Sequence, residues 1–258
     1  MPLTTERRER WLELVLDSPP SNVLDEALLG ALLDALDAQE AAGPLPLLLR
    51  AAGSRFSAGY RIGAIPETIF HADAGVRAAD PFERALERLA AWPCPVAAAV
   101  RGDAWGGGVE LLCCADLRVG AADLRLGVPA VRLGLVYSHT GMRRLTAALG
   151  SALAREMLLT GAAVPAERAR EAGFFARLLP ADAVEDAARD LLAEAARGAP
   201  LALAGTRRVL RLLAEAETLP EAVLSEIEAL RHRSWKSRDF REAQAAFLEK
   251  REPRFTGE

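Results

Sequence analysis

The residues best suited to do chemistry lie where an apolar segment meets a run of glycines. Residues 95–100 predict a short buried strand, and residues 109–115 predict a buried helix. Gly106, Gly107 and Gly108 lie between them and would let a ligand approach the main-chain amides closely. Because the first turn of a helix leaves N–H groups without partners, this junction is a candidate site for an oxyanion.

Glu110 is the candidate acid or base of this junction. A carboxylate in the first turn of an otherwise apolar helix has to be solvated in a cleft or paired with another group. The alternative is an N-terminal glutamate that is favoured only by the helix dipole. The spacing alone leaves both interpretations open.

Strands and helices alternate up to residue 180. The predicted strands are 11–16, 44–50, 95–100, 116–119 and 174–179, and helical patterns cover 24–40, 80–92, 109–115, 138–160 and 165–169. This alternation predicts an α/β fold with a largely parallel sheet built from right-handed crossovers. Ligands of such sheets tend to bind outside the carboxyl ends of the strands. The small-residue loop 51–63 and the glycine run both follow strands and fall at those ends.

Beyond Pro180 the pattern changes to helices alone. Helical spacing of apolar residues covers 181–198, 201–214, 220–233 and 238–249. Four such helices of mixed charge predict a helical appendage that packs on the sheet or on a neighbouring subunit.

Composition excludes several classes of function. The chain has 258 residues, and 51% of them are hydrophobic, which is enough for a sizeable core. Its net charge of −4 argues against non-specific nucleic-acid binding, which needs a basic surface. The charged segment 1–10 does not resemble a secretory signal, and no stretch approaches a membrane span. We therefore expect a cytoplasmic protein with neither nucleic acid nor membrane as a partner.

The cysteines and histidines do not predict a metal site. The three cysteines, Cys94, Cys113 and Cys114, are expected to be small core residues rather than ligands or a disulfide. The three histidines, His71, His139 and His232, are too scattered to suggest metal ligands. We expect no bound metal.

Two motifs carry a resemblance to a known family. Phe56-Ser57-Ala58-Gly59, followed about fifty residues later by Gly106-Gly107-Gly108-Val109-Glu110, resembles the crotonase family, also called the enoyl-CoA hydratase/isomerase family. The resemblance covers nearly the whole chain and includes 94–102, 114–116, 158–161 and 246–251. It implies an α/β fold in which repeated ββα units form a spiral core over 1–195, with the thioester site. A C-terminal helical region over 196–258 would then assemble a homotrimer or a dimer of trimers.

The resemblance also implies a substrate and the groups that hold it. The substrate would be a coenzyme A thioester, with no cofactor beyond the coenzyme A that it carries. By position, the backbone amides of Tyr60 and Gly107 would form the oxyanion hole for the thioester carbonyl, and Ala58, Gly59 and Gly106 would bind the substrate beside it. Such a hole stabilises an enolate, and losing one donor typically costs about 3 kcal/mol of barrier.

One catalytic group of the hydratases is missing. The hydratases use a glutamate at the position of Glu110 and a second one twenty residues later, where this chain has Ala130. Its absence removes one of the two partners that hold and activate water for addition to a double bond.

Tyr137 indicates a different branch of the family. The segment Leu133-Gly134-Leu135-Val136-Tyr137-Ser138-His139-Thr140-Gly141 resembles the branch that decarboxylates methylmalonyl-CoA. Decarboxylation needs no base to begin, because the departure of carbon dioxide itself leaves the enolate. Tyr137 could orient the leaving carboxylate while Glu110 positions the substrate or supplies the proton that quenches the enolate. The alternative is that Tyr137 only caps the helix that begins at Ser138.

Four other side chains are candidates for substrate binding. Arg132 could pair with a substrate carboxylate, although a solvated position would suit it equally. His139 could reach the substrate or lie on the surface of its helix. Lys250, with Arg251 next to it, resembles the family's tail that reaches coenzyme A phosphates across a subunit boundary, and the alternative is a solvated pair of charges. Phe247 is a candidate because it lies in the same matching segment, 246–251.

The sequence therefore predicts an acyl-CoA lyase that forms a thioester enolate, most specifically a decarboxylase of a malonyl-type CoA ester. An enoyl-CoA hydratase or isomerase that uses Glu110 as its only carboxylate stays open, because an isomerase needs a single base. A non-catalytic acyl-CoA-binding subunit is a further alternative, and the retained Glu110 argues against it.

Overall fold

The computed structural model describes residues 1–60, 67–70, 74–215 and 220–256. Their strands form two β-sheets. The strands are β1 (Leu3–Arg7), β2 (Leu12–Leu16), β3 (Leu47–Ala51), β4 (Val96–Val100), β5 (Ala104–Trp105), β6 (Leu117–Ala121), β7 (Arg125–Gly127), β8 (Val164–Pro165) and β9 (Arg177–Leu179). The main sheet has the order β1-β2-β3-β4-β6-β9, and β5-β7-β8 form the smaller one. In the main sheet only the β1–β2 pair is antiparallel.

Helices follow most of the main-sheet strands. They are α1 (Glu26–Ala41), α2 (Ala74–Ala79), α3 (Pro81–Ala91), α4 (Gly107–Cys113), α5 (His139–Thr160), α6 (Ala166–Glu171), α7 (Val184–Ala195), α8 (Pro200–Glu215), α9 (Glu221–Trp235) and α10 (Arg238–Glu249), with 3-10 turns at Glu67–Phe70 and Ala130–Leu133. A break at Gly150, whose φ is 74°, divides α5. Among the described residues, no helix has the length and apolar character needed to cross a bilayer.

The predicted α/β architecture with a mainly parallel sheet is confirmed, and the differences concern short or polar strands. The charged N-terminal segment was not expected to be a strand, yet it forms β1, in which only Leu3 is buried. As an edge strand, β1 is held by backbone pairing with β2 rather than by an apolar pattern. β7 and β8, three and two residues long, are too short to show a periodicity.

The parallel pairing of β3 with β4 brings the two predicted site loops together. The pairs Leu47–Val96, Leu48–Ala97 and Leu49–Ala98 place the carboxyl ends of these strands side by side. The loops that leave them then join through a bridge between Ser57 and Ala104, and the Trp105 amide donates to the Ser57 carbonyl at 2.9 Å. The two loops are about fifty residues apart in the sequence, yet they lie side by side because their strands are neighbours in the sheet.

The C-terminal helices pack on the core through polar and apolar contacts. Arg207 of α8 donates to Asp116 at 2.8 Å and to the carbonyls of Leu89, Ala90 and Trp92 at the end of α3. α10 packs on the 3-10 turn Ala130–Leu133, and its Phe240 is buried. The boundary between a core over 1–195 and a separate region over 196–258 stays a prediction.

A buried carboxylate ties the amino-terminal strands to α7. Glu13 of β2 has no exposed surface, and three guanidinium groups donate to it: Arg8 at 3.0 Å, Arg50 at 2.8 Å and Arg189 at 3.0 Å. Burial alone would raise the pKa of Glu13, but the hydrogen bonds from these arginines outweigh it and lower the pKa to about 2. The folded state therefore holds this group ionised far into the acid range.

We predict that Glu13→Gln lowers the free energy of unfolding by about 3 kcal/mol at pH 7, because it replaces a buried carboxylate that accepts from three guanidinium groups with a neutral amide. A carboxyl whose pKa is lowered by folding stabilises the protein above its unfolded pKa, and this stabilisation is lost as pH falls towards about 2. The difference between the variant and the wild type should thus shrink as the pH falls from 5 to 2. Urea unfolding followed by tryptophan fluorescence measures both quantities.

The matched control is Glu194→Gln, which breaks the exposed pair between Glu194 of α7 and Arg197, two residues after the helix ends. Exposed pairs contribute about 0.5 kcal/mol or less, so this variant should behave as the wild type. Equal effects of the two substitutions would show that the Glu13 cluster does not stabilise the fold.

Candidate active site

The two glycine-bearing loops and the segment before α5 line one cavity. Six of the residues predicted from the sequence lie on its wall: Ala58, Tyr60, Gly106, Gly107, Glu110 and Tyr137. The rest of the wall is mainly apolar and includes Phe82, Val128, Leu133 and Leu135. A buried apolar pocket with a few converging polar groups is the usual form of a small-molecule site.

Gly59 lets the two loops approach each other. Its φ is 71°, and a Cβ at this position would lie 2.5 Å from the carbonyl oxygen of Trp105 and 3.2 Å from the amide nitrogen of Gly107. Only glycine tolerates both conditions. The amides of Tyr60 and Gly107 are therefore close to one another, and within the described part of the chain neither donates a hydrogen bond to another protein group.

Glu110 is buried and paired. It lies in the first turn of α4 with 1% of its surface exposed. The Tyr137 hydroxyl donates to Oε2 at 2.7 Å, and Arg144 Nη1 donates to Oε1 at 2.6 Å. Of the two interpretations left open by the sequence, the structure supports a paired carboxyl group.

The protonation of Glu110 reflects opposing influences. Burial raises the pKa of its carboxyl above the usual range, and the Arg144 cation opposes this rise. The Glu83 carboxylate adds to the rise, while the hydrogen bond from Tyr137 acts against it. The net direction is upward, so the neutral acid is more accessible here than for a solvated glutamate.

Tyr137 is held as a neutral phenol against Glu110. Burial and the Glu110 charge raise the pKa of its hydroxyl well above the usual value. A Cβ at Gly141 would lie 2.5 Å from the Tyr137 ring and 2.7 Å from Glu110 Oε2, so this pair needs glycine one turn into α5. The cap of α5 is Ser138, whose hydroxyl accepts from the Gly141 amide at 2.9 Å. Tyr137 is therefore not the capping residue.

Two residues that the sequence analysis missed complete the network around Glu110. Arg144 Nη1 also reaches Glu83 Oε2 at 3.1 Å, and Thr140 Oγ1 donates to Glu83 Oε1 at 3.2 Å. Glu83, in the first turn of α3, lines the cavity as well. The only signal for Arg144 in the sequence is a cation three residues after Gly141, next to the buried Leu145.

Ala130, which the resemblance places where the hydratases have their second glutamate, lies on the wall of the same cavity as Glu110. Tyr60 packs edge-on against Phe82, with ring centroids 5.2 Å apart. Burial raises the pKa of the Tyr60 hydroxyl, and the nearby Asp80 charge raises it further. Arg231 of α9 also lines the cavity and donates to Glu228 at 2.8 Å. No pattern in the sequence points to Arg231.

Gly59 and the four side chains predicted to bind substrate do not line this cavity. Arg132 donates to the Thr160 carbonyl at 2.9 Å, because the last carbonyls of α5 attract a cation. His139 Nδ1 lies 2.9 Å from Glu228 Oε1. Phe247 and Lys250 are exposed at the end of α10, and their predicted role across a subunit boundary stays a prediction.

Comparison with known proteins extends these similarities to the whole chain. Residues 6–258 match the family model described as enoyl-CoA hydratase/isomerase. A methylmalonyl-CoA decarboxylase from Escherichia coli (strain K12) is 29% identical over 242 residues, covering 92% of this chain and 90% of that protein. A 2,3-dehydroadipyl-CoA hydratase from the same strain is 32% identical over 256 residues, covering 99% and 98%.

A solved structure agrees closely with the fold. A methylmalonyl-CoA decarboxylase in complex with 2-nitronate-propionyl-CoA has a TM-score of 0.91 and 27% sequence identity, with 100% of this chain and 99% of that chain covered. The resemblance to the family that the glycine motifs predict is thus confirmed. The chain belongs to the enoyl-CoA hydratase/isomerase family of enzymes, also called the crotonase family.

Proposed function

We propose that this enzyme decarboxylates a malonyl-type coenzyme A ester, methylmalonyl-CoA in particular, through a thioester enolate. The observation that carries the proposal is the 2.7 Å pair of Tyr137 and Glu110 on the cavity wall, with Ala130 where a hydratase has its second glutamate. Similarity to methylmalonyl-CoA decarboxylases over most of the chain supports the same reaction.

The two loop amides supply the electrostatic part of the reaction. With the thioester carbonyl between the amides of Tyr60 and Gly107, the bond to the carboxylate breaks and its electron pair moves into the enolate. The enolate oxygen then accepts both amide hydrogens, which the fold holds in place before the reaction begins. This chemistry needs no cofactor other than the coenzyme A of the substrate.

The protonation state of Glu110 decides whether the Tyr137 hydroxyl can donate to the carboxylate of the substrate. A phenol has one hydrogen to donate, and Tyr137 gives it to Glu110 while that carboxyl is ionised. When Glu110 is protonated, it donates to Tyr137 instead, and the phenol hydrogen is available to the leaving carboxylate. After carbon dioxide departs, the Glu110 proton quenches the enolate carbon. The raised pKa of Glu110 favours this protonated starting state.

An enoyl-CoA hydratase or isomerase is the second candidate. Glu83 lines the same cavity and shares Arg144 with Glu110, so a second carboxylate is present although position 130 is alanine. The identity of 32% to a 2,3-dehydroadipyl-CoA hydratase favours this candidate as well.

We propose that the chain assembles as a homotrimer or a dimer of trimers. Large apolar side chains are exposed on the C-terminal helices, namely Val209, Leu210, Leu212 and Leu213 on α8, Leu230 on α9, and Phe247 and Leu248 on α10. Such a concentration of exposed apolar surface is typical of a protein–protein interface.

Incubation with methylmalonyl-CoA and, separately, with crotonyl-CoA tests the reaction. We expect loss of carbon dioxide from the first thioester and no addition of water to the second, because the cavity lacks a carboxylate at position 130. Mass spectrometry of the thioesters follows both reactions. Hydration of crotonyl-CoA alone would establish the second candidate and reject the first.

Removal of the phenol hydroxyl tests the role of Tyr137. We expect Tyr137→Phe to lower kcat for methylmalonyl-CoA about 100-fold with little change in KM, as for the loss of one donor to the transition state. Glu110→Gln should lower kcat to a similar extent. Because the two groups act as a unit, the double variant should be little worse than either single one. Full additivity would contradict the proposed pair.

Light scattering coupled to size exclusion tests the assembly. We expect a mass near three or six times that of the chain, and a lower mass for Leu210→Glu combined with Leu213→Glu, because charges would then face the apolar interface. A monomeric wild type would reject the assembly.

A further inference from the structure

Arg144 holds Glu110 without being part of the wall of the substrate cavity, whereas Glu83 and Glu110 are on that wall. It lines a neighbouring cavity, to which Glu83 also contributes. Its Nη1 group lies 2.6 Å from Glu110 Oε1 and 3.1 Å from Glu83 Oε2, so one guanidinium nitrogen serves two carboxylates on different helices. Because Arg144 pairs with both carboxylates, its charge acts on the reaction through these two groups.

We infer that Glu83 and Arg144 are positioning residues that act in opposite directions on the proton of Glu110: Arg144 favours the carboxylate and Glu83 favours the neutral acid. Burial raises the proton affinity of Glu110, and the way in which Arg144 divides its charge between two acceptors then adjusts it. The inference rests on the proposed function only for its kinetic consequence.

Apart from Arg231, a cation on the cavity wall that is paired with Glu228, the other groups around Glu110 are neutral. Tyr60 and Tyr137 are buried phenols whose pKa values are raised, so both keep their hydrogens. On α4 itself, burial raises the pKa of the Cys113 thiol and raises that of Cys114 to about 12. Within the described residues, Glu83 on α3 and Arg144 on α5 therefore supply the charges that act on Glu110.

The contacts hold both charges in place. Thr140 donates to Glu83 at 3.2 Å, and Glu83 retains only 17% of its side-chain exposure, as Arg144 retains 19%. Limited solvent access weakens screening, so a change of charge at either position is felt at Glu110. At the same time Arg144 fixes Oε1 and leaves Oε2 to Tyr137. Oε1 of Glu110 thus belongs to the ion pair with Arg144, and Oε2 belongs to the hydrogen bond with Tyr137 that the proposed reaction uses.

The proposed decarboxylation would depend on the opposing effects of Arg144 and Glu83 on Glu110. In the proposed decarboxylation Glu110 must hold a proton when the substrate binds and release it to the enolate. A lone arginine at 2.6 Å would keep the carboxylate ionised, and the sharing with Glu83 weakens that effect. A proton donor whose affinity is matched to the working pH is the most effective one.

The test is a direct titration of Glu110 in the full-length protein without substrate. Infrared difference spectroscopy follows the protonated carboxyl, and Glu110→Gln identifies its band. Glu83→Gln keeps the hydrogen-bonding shape, removes the negative charge and should lower the titration midpoint by about one pH unit. Arg144→Gln removes the cation and should raise it by about one pH unit or more, whereas Arg144→Lys should shift it less.

Arg143→Gln is the matched control, because it removes the same charge from the exposed neighbouring position of α5. We expect it to leave the midpoint unchanged. Shifts in opposite directions for positions 83 and 144 support the inference, and unchanged midpoints or shifts in the same direction overturn it. If Arg144→Gln does not fold, Glu83→Gln and Arg144→Lys decide by the same criterion.

The pH dependence of turnover supplies a second readout. If protonated Glu110 is the active form, kcat for methylmalonyl-CoA falls as pH rises through its pKa. The falling limb should move to lower pH in Glu83→Gln and to higher pH in Arg144→Gln, with KM little changed. Opposite infrared shifts without any turnover of methylmalonyl-CoA would retain the charge balance and reject the proposed function, so the two failures are distinguishable.

Discussion

The burial of one carboxyl group, that of Glu110, imposes conditions on three helices at once. A carboxyl group that leaves water has to be neutralised or hydrogen-bonded, because an unpaired charge in an apolar interior is very costly. Here the partners come from the segment before α5 and from α5 itself, and Arg144 then requires Glu83 from α3. The relative positions of α3, α4 and α5 around the cavity are thus coupled to the hydrogen bonds of a single residue.

The backbone around the cavity is organised by a different constraint, the close contact of two loops. Parallel neighbours in a sheet end on the same side, so the loops after β3 and β4 meet without any special device. Their final approach depends on Gly59, which lets Tyr60 and Gly107 present their amides on the same wall. A rigid pair of donors at this place suits any reaction that passes through an enolate, and the choice of reaction is left to side chains.

Few positions make that choice. Ala130 and Tyr137 differ from what a two-glutamate hydratase would require, and Glu83 reaches the cavity from another helix. The relatives of this chain include both a named decarboxylase and a named hydratase at about 30% identity. Sequence identity at this level therefore gives the family, and the proposal of a specific reaction draws on the contacts of Glu110.

Local patterns in the sequence determined the elements that carry the site. The apolar run of β4, the glycines and the helical spacing of α4 are properties of neighbouring residues, so both site loops, Glu110 and the α/β class were predictable. Tyr137 was identified through a resemblance, and the structure replaced its alternative role as a cap with Ser138. Strand β1 was missed because backbone pairing at an edge leaves no apolar pattern.

Only the tertiary structure decided which distant side chains meet. Glu83 and Arg144 lie about thirty residues on either side of Glu110 in the chain, and nothing in their local sequence separates them from solvated charges. The same holds for Arg132, which was a candidate substrate ligand but donates to the Thr160 carbonyl at the end of α5. It also holds for Arg231, which reaches the cavity from α9. Charged side chains carry little local signal because their partners are chosen by the packing of helices that are far apart in sequence.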